Sequence, residues 1–361
     1  MTAPELMPED LRAAVQAGIV TEAQAASLKA LIDGRAGRRA QMPAEDEPFE
    51  FFRGFSEIFI SLGLILLMAG IVGILVLAGG AVVLIALPLI VAAIAFWWAF
   101  YFTRKRRMNL PSMVLAIAYG SGVWLGIFAI LLSMDLQSRA VVLVPSVVAV
   151  LAMAVWYRVF RLPFSAFILG LFALAAVYTA TASVDALGGF IEGSRTGFGG
   201  FFDLRESPAF ALATLGFGLA AFVAGMWFDL KDPHRLGRHA ATGFWLHMLA
   251  APALVNTIAL TLYNTGGGLG IALLAGALVA ITLLALIIDR RSFLTAAIGY
   301  IAIVITWLLG GEDLDTWVAI LILLGAFITA IGTWWVQLRA ALLRALPDFP
   351  GKRRLPPWAA A

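Results

Sequence analysis

Ten apolar runs, each near the length that carries a helix across a bilayer, follow one another through this chain. They lie at roughly 57–78, 80–102, 111–132, 139–157, 163–183, 208–229, 240–262, 268–288, 293–309 and 316–337. In lipid, every backbone N–H and C=O must find its partner within the structure. The period-2 alternation of a barrel strand is missing, so helix is the conformation left. Hydrophobic residues make up 62% of the chain and charged residues 13%, a balance foreign to soluble globular proteins. The expected fold is all-α: a polytopic membrane helix bundle with about ten transmembrane helices. The absence of cysteine excludes disulfides, thiolate metal sites and cysteine nucleophiles.

The charges orient these segments. Of the 25 Lys and Arg residues, all but Arg139, Arg195 and Arg205 fall on one side of an alternating topology. That side holds Arg104–Arg107, Arg158 and Arg161, Lys231, Arg235 and Arg238, Arg290 and Arg291, and both ends of the chain. By the positive-inside rule both termini are cytoplasmic, in the inner membrane of a bacterium. Trp97, Trp98, Tyr101, Trp156, Tyr157, Trp227, Trp245, Trp334 and Trp335 gather at the same predicted interface, where an amphipathic ring is at home. The first apolar run starts too far in, and is too long, for a cleavable signal, so residues 1–50 are expected to stay attached.

Four regions follow. Residues 1–34 read as a cytoplasmic helical hairpin, with Gly18 as a left-handed stop and Thr21 with Gln24 as a capping box. Residues 35–56 form a linker and a Phe-rich interfacial helix, with Glu57 at the water-accessible edge of the first segment. Residues 57–337 are the ten-helix transmembrane domain. Residues 338–361 are a basic, Pro-rich cytoplasmic tail. Anionic lipid is the expected partner of Arg104–Arg107 and of Lys352–Arg354; the hairpin is the expected docking point for a protein partner. No aromatic–basic interleaving points to nucleic acid. Small residues recur every four positions at Ala118, Gly122 and Gly126, at Gly216, Ala220 and Ala224, and at Ala272, Gly276 and Ala280. Such stripes predict close helix packing.

The chemistry is sparse. No Asp, Glu, Lys or Arg stands near the middle of any segment, where an ion-coupled transporter would need one. Segment 7 is the polar exception. His247 is four residues from both Gly243 and Ala251, which directs it at a neighbouring helix. Pro252 leaves the carbonyl of Met248 without its usual donor. Two readings stand: a neutral histidine that fixes packing through an interhelical hydrogen bond, or a ligand-binding site at a kinked helix formed by His247, Asn256, Trp245, Pro252 and, from segment 2, Pro88. Asn256 is about 180° from His247 on an ideal helix, so they meet only if the kink rotates the upper half. The preceding loop, with Asp229, Asp232, His234 and His239, fits no metal-ligand spacing. It reads as a solvated, lipid-facing basic loop. The glycine-rich exterior loop 184–207 reads as a mobile connector. No catalytic constellation, cofactor motif or metal set emerges.

The predicted function is therefore a non-enzymatic scaffold or partner-binding membrane protein. The alternative is a transporter or flippase for a small or amphiphilic solute, built as a 5+5 inverted repeat with Pro88 and Pro252 in corresponding interrupted helices. Basic loops centre near 105, 160, 235 and 290, at spacings of roughly 55, 75 and 55 residues.

Two stretches carry a resemblance. Phe244-Trp245-Leu246-His247 with Ala250-Ala251-Pro252, preceded by Asp232-Pro233-His234-Arg235, resembles a helix of uncharacterised multi-pass bacterial inner-membrane proteins that form a domain family of unknown function. The run Phe52-Arg53-Gly54-Phe55-Ser56-Glu57-Ile58-Phe59 is similar to their beginning. The resemblance implies membrane placement and fold. It also implies a second histidine where this chain has Asn256, which counts against a two-histidine site here.

Overall fold

A computed structural model describes residues 54–134, 138–181, 202–235, 237–309 and 314–358, with scattered positions between 14 and 31. The interfacial helix expected before residue 54 and most of the 184–207 loop lie outside the described residues, as does the hairpin as a whole. Its local signals are in place: Gly18 has φ +70°, and Thr21 and Gln24 exchange backbone-to-side-chain hydrogen bonds of 2.9 and 3.3 Å.

The described residues are helical, without a strand. The helices are α1 (Phe55–Ala78), α2 (Ala81–Ala99), α3 (Asn109–Ser133), α4 (Ala140–Phe160), α5 (Phe164–Thr181), α6 (Pro208–Asp229), α7 (Arg238–Tyr263), α8 (Gly267–Ile288), α9 (Ser292–Leu309), α10 (Leu314–Thr333) and α11 (Trp335–Ala345). A π-helical turn, Phe100–Lys105, continues α2. Eight helices, α1 to α8, are long and apolar enough to cross a membrane, as in a multi-pass membrane protein. In α9 the apolar stretch Ser292–Thr306 is shorter, and α10 meets α11 at a 70° bend. The last predicted segment, 316–337, is divided by this bend at Trp334.

Pro88, Pro145 and Pro252 all lie inside continuous helices. Neither Pro88 nor Pro252 interrupts its helix, contrary to the expectation drawn from the transporter pattern. Bordering helices can absorb the missing donor; Pro88 sits against Gly122, whose lack of a side chain lets α3 approach the Pro88 carbonyl.

The packing is periodic. In the first part of the chain α1 packs on α2 and α3, α2 on α3, α3 on α4 and α5, and α4 on α5. Every one of these pairs recurs four helices on: α5 with α6 and α7, α6 with α7, α7 with α8 and α9, α8 with α9. The backbone follows the same shift. Arg107 and Arg161 have positive φ, and so do Arg235 and Asp289, the second pair displaced from the first by one common interval. A shift of an even number of helices relates segments that run the same way. The repeat is thus a translation, and the expected 5+5 inversion is replaced by it. An inversion would pair α7 on α9 with α2 on α4, which show no comparable packing.

Glu57, expected at the water edge, is buried. Its Oε2 accepts the backbone N–H groups of Asn109 and Leu110 at 3.1 and 3.0 Å, capping the start of α3 from α1. A carboxylate at the positive end of a helix satisfies donors that have no intrahelical partner. Of the small-residue stripes, Gly122 and Gly126 meet Ala92 and Leu89 of α2 as expected. Gly216 and Gly276 meet nothing within 4 Å, so those two stripes face outward.

Candidate functional site

Helices α6 and α7 form an antiparallel pair whose interface is set by glycine. Gly218 faces Leu254, Gly225 faces the His247 ring, and Gly243 faces Asp229; each advance along α6 is matched by an equal retreat along α7. A Cβ on Gly225 would stand 2.9 Å from the His247 imidazole, and one on Gly243 would overlap Asp229 Oδ1. These glycines clear the volume in which two polar side chains meet between otherwise apolar helices.

The meeting point is a buried triad. Asp229 Oδ2 accepts His247 Nε2–H at 3.0 Å and Arg290 Nε–H at 3.0 Å, while Oδ1 accepts from the terminal nitrogen NH2 of Arg290. That nitrogen also donates to the carbonyl of Ala240 at 3.0 Å. Exposures are 0% for His247, 1% for Arg290 and 6% for Asp229. Phe222 and Phe293 stand edge-on to the imidazole at 5.6 and 5.9 Å. Buried charges persist when paired and hydrogen-bonded, and the Asp229–Arg290 fork meets both conditions. His247 Nδ1 and the second terminal nitrogen of Arg290 are buried without a partner among the described residues.

Arg290 arrives from an unusual corner. Asp289 closes α8 in the left-handed region at φ +60°, which turns the chain so that consecutive side chains enter different networks. Asp289 itself pairs with Arg235 at 3.0 Å and accepts Trp335 Nε1–H at 2.6 Å. Arg339 lies 3.8 Å from the same carboxylate and donates to the carbonyls of Leu286, Pro356 and Pro357 at 3.1, 2.7 and 3.0 Å. The α6–α7 loop, the α8–α9 corner, α11 and the tail are thereby tied together at one end of the bundle.

Several expectations change here. The 229–239 stretch is not a solvated loop throughout: Asp229 and Arg235 are buried in ion pairs, and Asp232 Oδ2 accepts the N–H of Gly237 at 2.7 Å near the start of α7. His239 is exposed and stacks on Phe228. The residues that the sequence groups with His247 as a ligand-binding site do not converge on it. Trp245 is buried on another face of α7, against Phe164 and Phe167 of α5. Pro252 is exposed, Asn256 is half-buried outside the triad, and Pro88 belongs to the α2–α3 contact. The tail differs too. Lys352 is buried, donating to the Leu346 carbonyl at 2.7 Å, and only Arg354 of the described cations in Lys352–Arg354 is exposed.

The sequence pattern leaves Asp229 in a solvated loop and gives Arg290 no role beyond its charge, since each stands at a segment end that resembles a loop. The signal that could have found them is the pairing of Gly225–Asp229 with Gly243–His247, two Gly-to-polar steps of four residues running antiparallel. Comparison with known family models, curated proteins and solved structures returns no match, so the function has to be argued from this geometry.

Proposed function

We propose that this chain is a ten-crossing protein of a bacterial inner membrane, with both termini cytoplasmic, that works without catalysis as a scaffold for a partner protein. The observation that carries the reading is the closure of Asp229: both of its oxygens are committed to His247 and Arg290. A carboxylate held by a guanidinium fork and an imidazole acts as a lock among α6, α7 and the α8–α9 corner. A carrier would instead need a carboxylate able to exchange its cargo. With Asp289 doing the same for α11 and the tail, the basic end becomes a rigid platform. The resemblance of the α7 stretch to multi-pass inner-membrane proteins belongs to the same proposal.

The test is quantitative crosslinking on the full chain and on a form lacking residues 1–50. Loss of crosslinked partners on deletion is the expected result. Unchanged recovery would reject the hairpin as the docking element. The transporter alternative loses its marker, since α2 and α7 run unbroken through Pro88 and Pro252.

A further inference from the structure

We propose that the basic ends of α2 and α6 are repeat-related headgroup sites for an anionic phospholipid, with its phosphate held by Arg104, Lys105 and Arg106 at one and by Lys231 at the other. The proposal rests on the helices lying in a bilayer and is independent of any scaffold role.

The same device appears twice. At the end of α2, Arg104 lies over the Phe100 ring at 5.9 Å and Lys105 over Tyr101 at 5.8 Å. At the end of α6, Lys231 lies over Trp227 at 3.1 Å. Each cation stands four residues beyond its ring, at the helix end that the four-helix shift makes equivalent. The π-helical turn Phe100–Lys105 adds a third charge. Its wider winding sets Arg106 five residues beyond Tyr101 yet over the same ring at 5.6 Å, with Nε–H donating to the Tyr101 hydroxyl at 3.0 Å. A guanidinium or ammonium resting on a ring keeps N–H groups free for an anion while its side chain is already ordered.

All four cations are exposed and make no ion pair among the described residues, whereas Arg235, Arg290, Arg339 and Lys352 are buried in protein contacts. The rings are exposed as well, Trp227 by 54%. Below Trp227 the exposed face of α6 is apolar past Val223, Ala224, Ala220, Leu219 and Gly216. An apolar face that ends on a cation matches a molecule with an acyl chain and an anionic head. An acidic peptide would match the cation alone.

Native mass spectrometry of the full chain, titrated with phosphatidylglycerol and with phosphatidylcholine, tests this. Phosphatidylglycerol should bind preferentially. Each cation near an anionic surface is worth about 1 kcal/mol, so each one removed should weaken binding about fivefold. R104Q/K105Q/R106Q and K231Q should lose affinity accordingly, and per charge removed by more than R158Q/R161Q, which removes exposed basic-end charges outside these ring–cation pairs. Inorganic phosphate should leave the lipid bound; its displacing the lipid would overturn the lipid assignment. Equal binding of phosphatidylcholine, or ring-cation variants that behave like R158Q/R161Q, would overturn the proposal. An alkaline carbonate wash separates the two failures. Release of the protein by the wash refutes the bilayer reading itself, while a retained protein whose variants keep their phosphatidylglycerol refutes only the headgroup sites.

Discussion

Arg290 is the residue whose burial is hardest to sustain, because a guanidinium that is 1% exposed has given up its water and depends on protein partners. Asp229 is what sustains it. Replacing Asp229 with Ala strands that charge, and we expect a loss of about 3–5 kcal/mol, read as a fall in thermal midpoint by circular dichroism in detergent. Replacing His247 with Ala leaves the Asp229–Arg290 fork intact and removes one hydrogen bond and a ring packed between Phe222 and Phe293. About 1–3 kcal/mol is expected there. If the histidine variant proved the more damaging of the two, the triad would not be organised around the carboxylate. The glycines make a sharper pair. Gly225→Ala drives a methyl into the imidazole and should destabilise by about 1–3 kcal/mol. Gly216→Ala, on the outward stripe, should be neutral or gain up to about 1 kcal/mol of helix propensity. Both glycines begin or end a stripe with a spacing suited to packing. Spacing alone does not say which stripe of a helix meets a neighbour, and on α6 the stripe Gly216, Ala220 and Ala224 faces outward. The partner stripe on α7 decides it, because only Gly225 and Asp229 match Gly243 and His247 in antiparallel register.

At the scale of elements, the end of the chain departs most from its sequence pattern. Hydropathy carries the last segment to about 337 and then leaves a basic tail free. In the structure the helix bends by 70° after Thr333, and α11 buries Trp335, Arg339, Ala340 and Leu343 on one face. The bend has a polar cause. Trp335 Nε1–H reaches Asp289, and Arg339 reaches Leu286 and two tail carbonyls, groups that no hydropathy window weighs. Helix existence was legible because about 20 apolar residues leave no other option in lipid. The bend was illegible because its partners lie far away in sequence. Arg339→Ala should release residues 351–358, at a local cost on the order of 2 kcal/mol, or roughly thirtyfold in the open population. Limited trypsin digestion at Lys352 and Arg354 should accelerate to match. Cleavage at an unchanged rate would mean that the tail is held by Leu355 and Lys352 without Arg339.

For the molecule as a whole, the spacing of basic loops at roughly 55, 75 and 55 residues was the visible trace of its repeat. The alternating intervals bring the first two loops onto the last two by simple translation. Ten segments in two halves of five would be inverted, a scheme that the positive-φ residues and the paired helix contacts replace with a shift of four helices. A shift of four also makes α9 the counterpart of α5, and α5 is one of the eight helices long and apolar enough to cross. Ser292–Leu309 has 18 residues, a rise of about 27 Å against a hydrocarbon core of about 30 Å, so crossing by α9 is within reach without being forced. The repeat predicts that it does cross. Because the chain has no cysteine, single cysteines report topology directly. Lys105→Cys and Lys231→Cys should react with an impermeant maleimide from one side of sealed vesicles, and Ser138→Cys and Thr265→Cys from the other. Glu312→Cys, in the α9–α10 connection outside the described residues, decides between the schemes. Labelling together with Ser138→Cys and Thr265→Cys means that α9 and α10 complete ten crossings. Labelling together with Lys105→Cys would return the chain to eight crossings, with α9 and α10 held on the basic side, and would break the correspondence of α9 with α5.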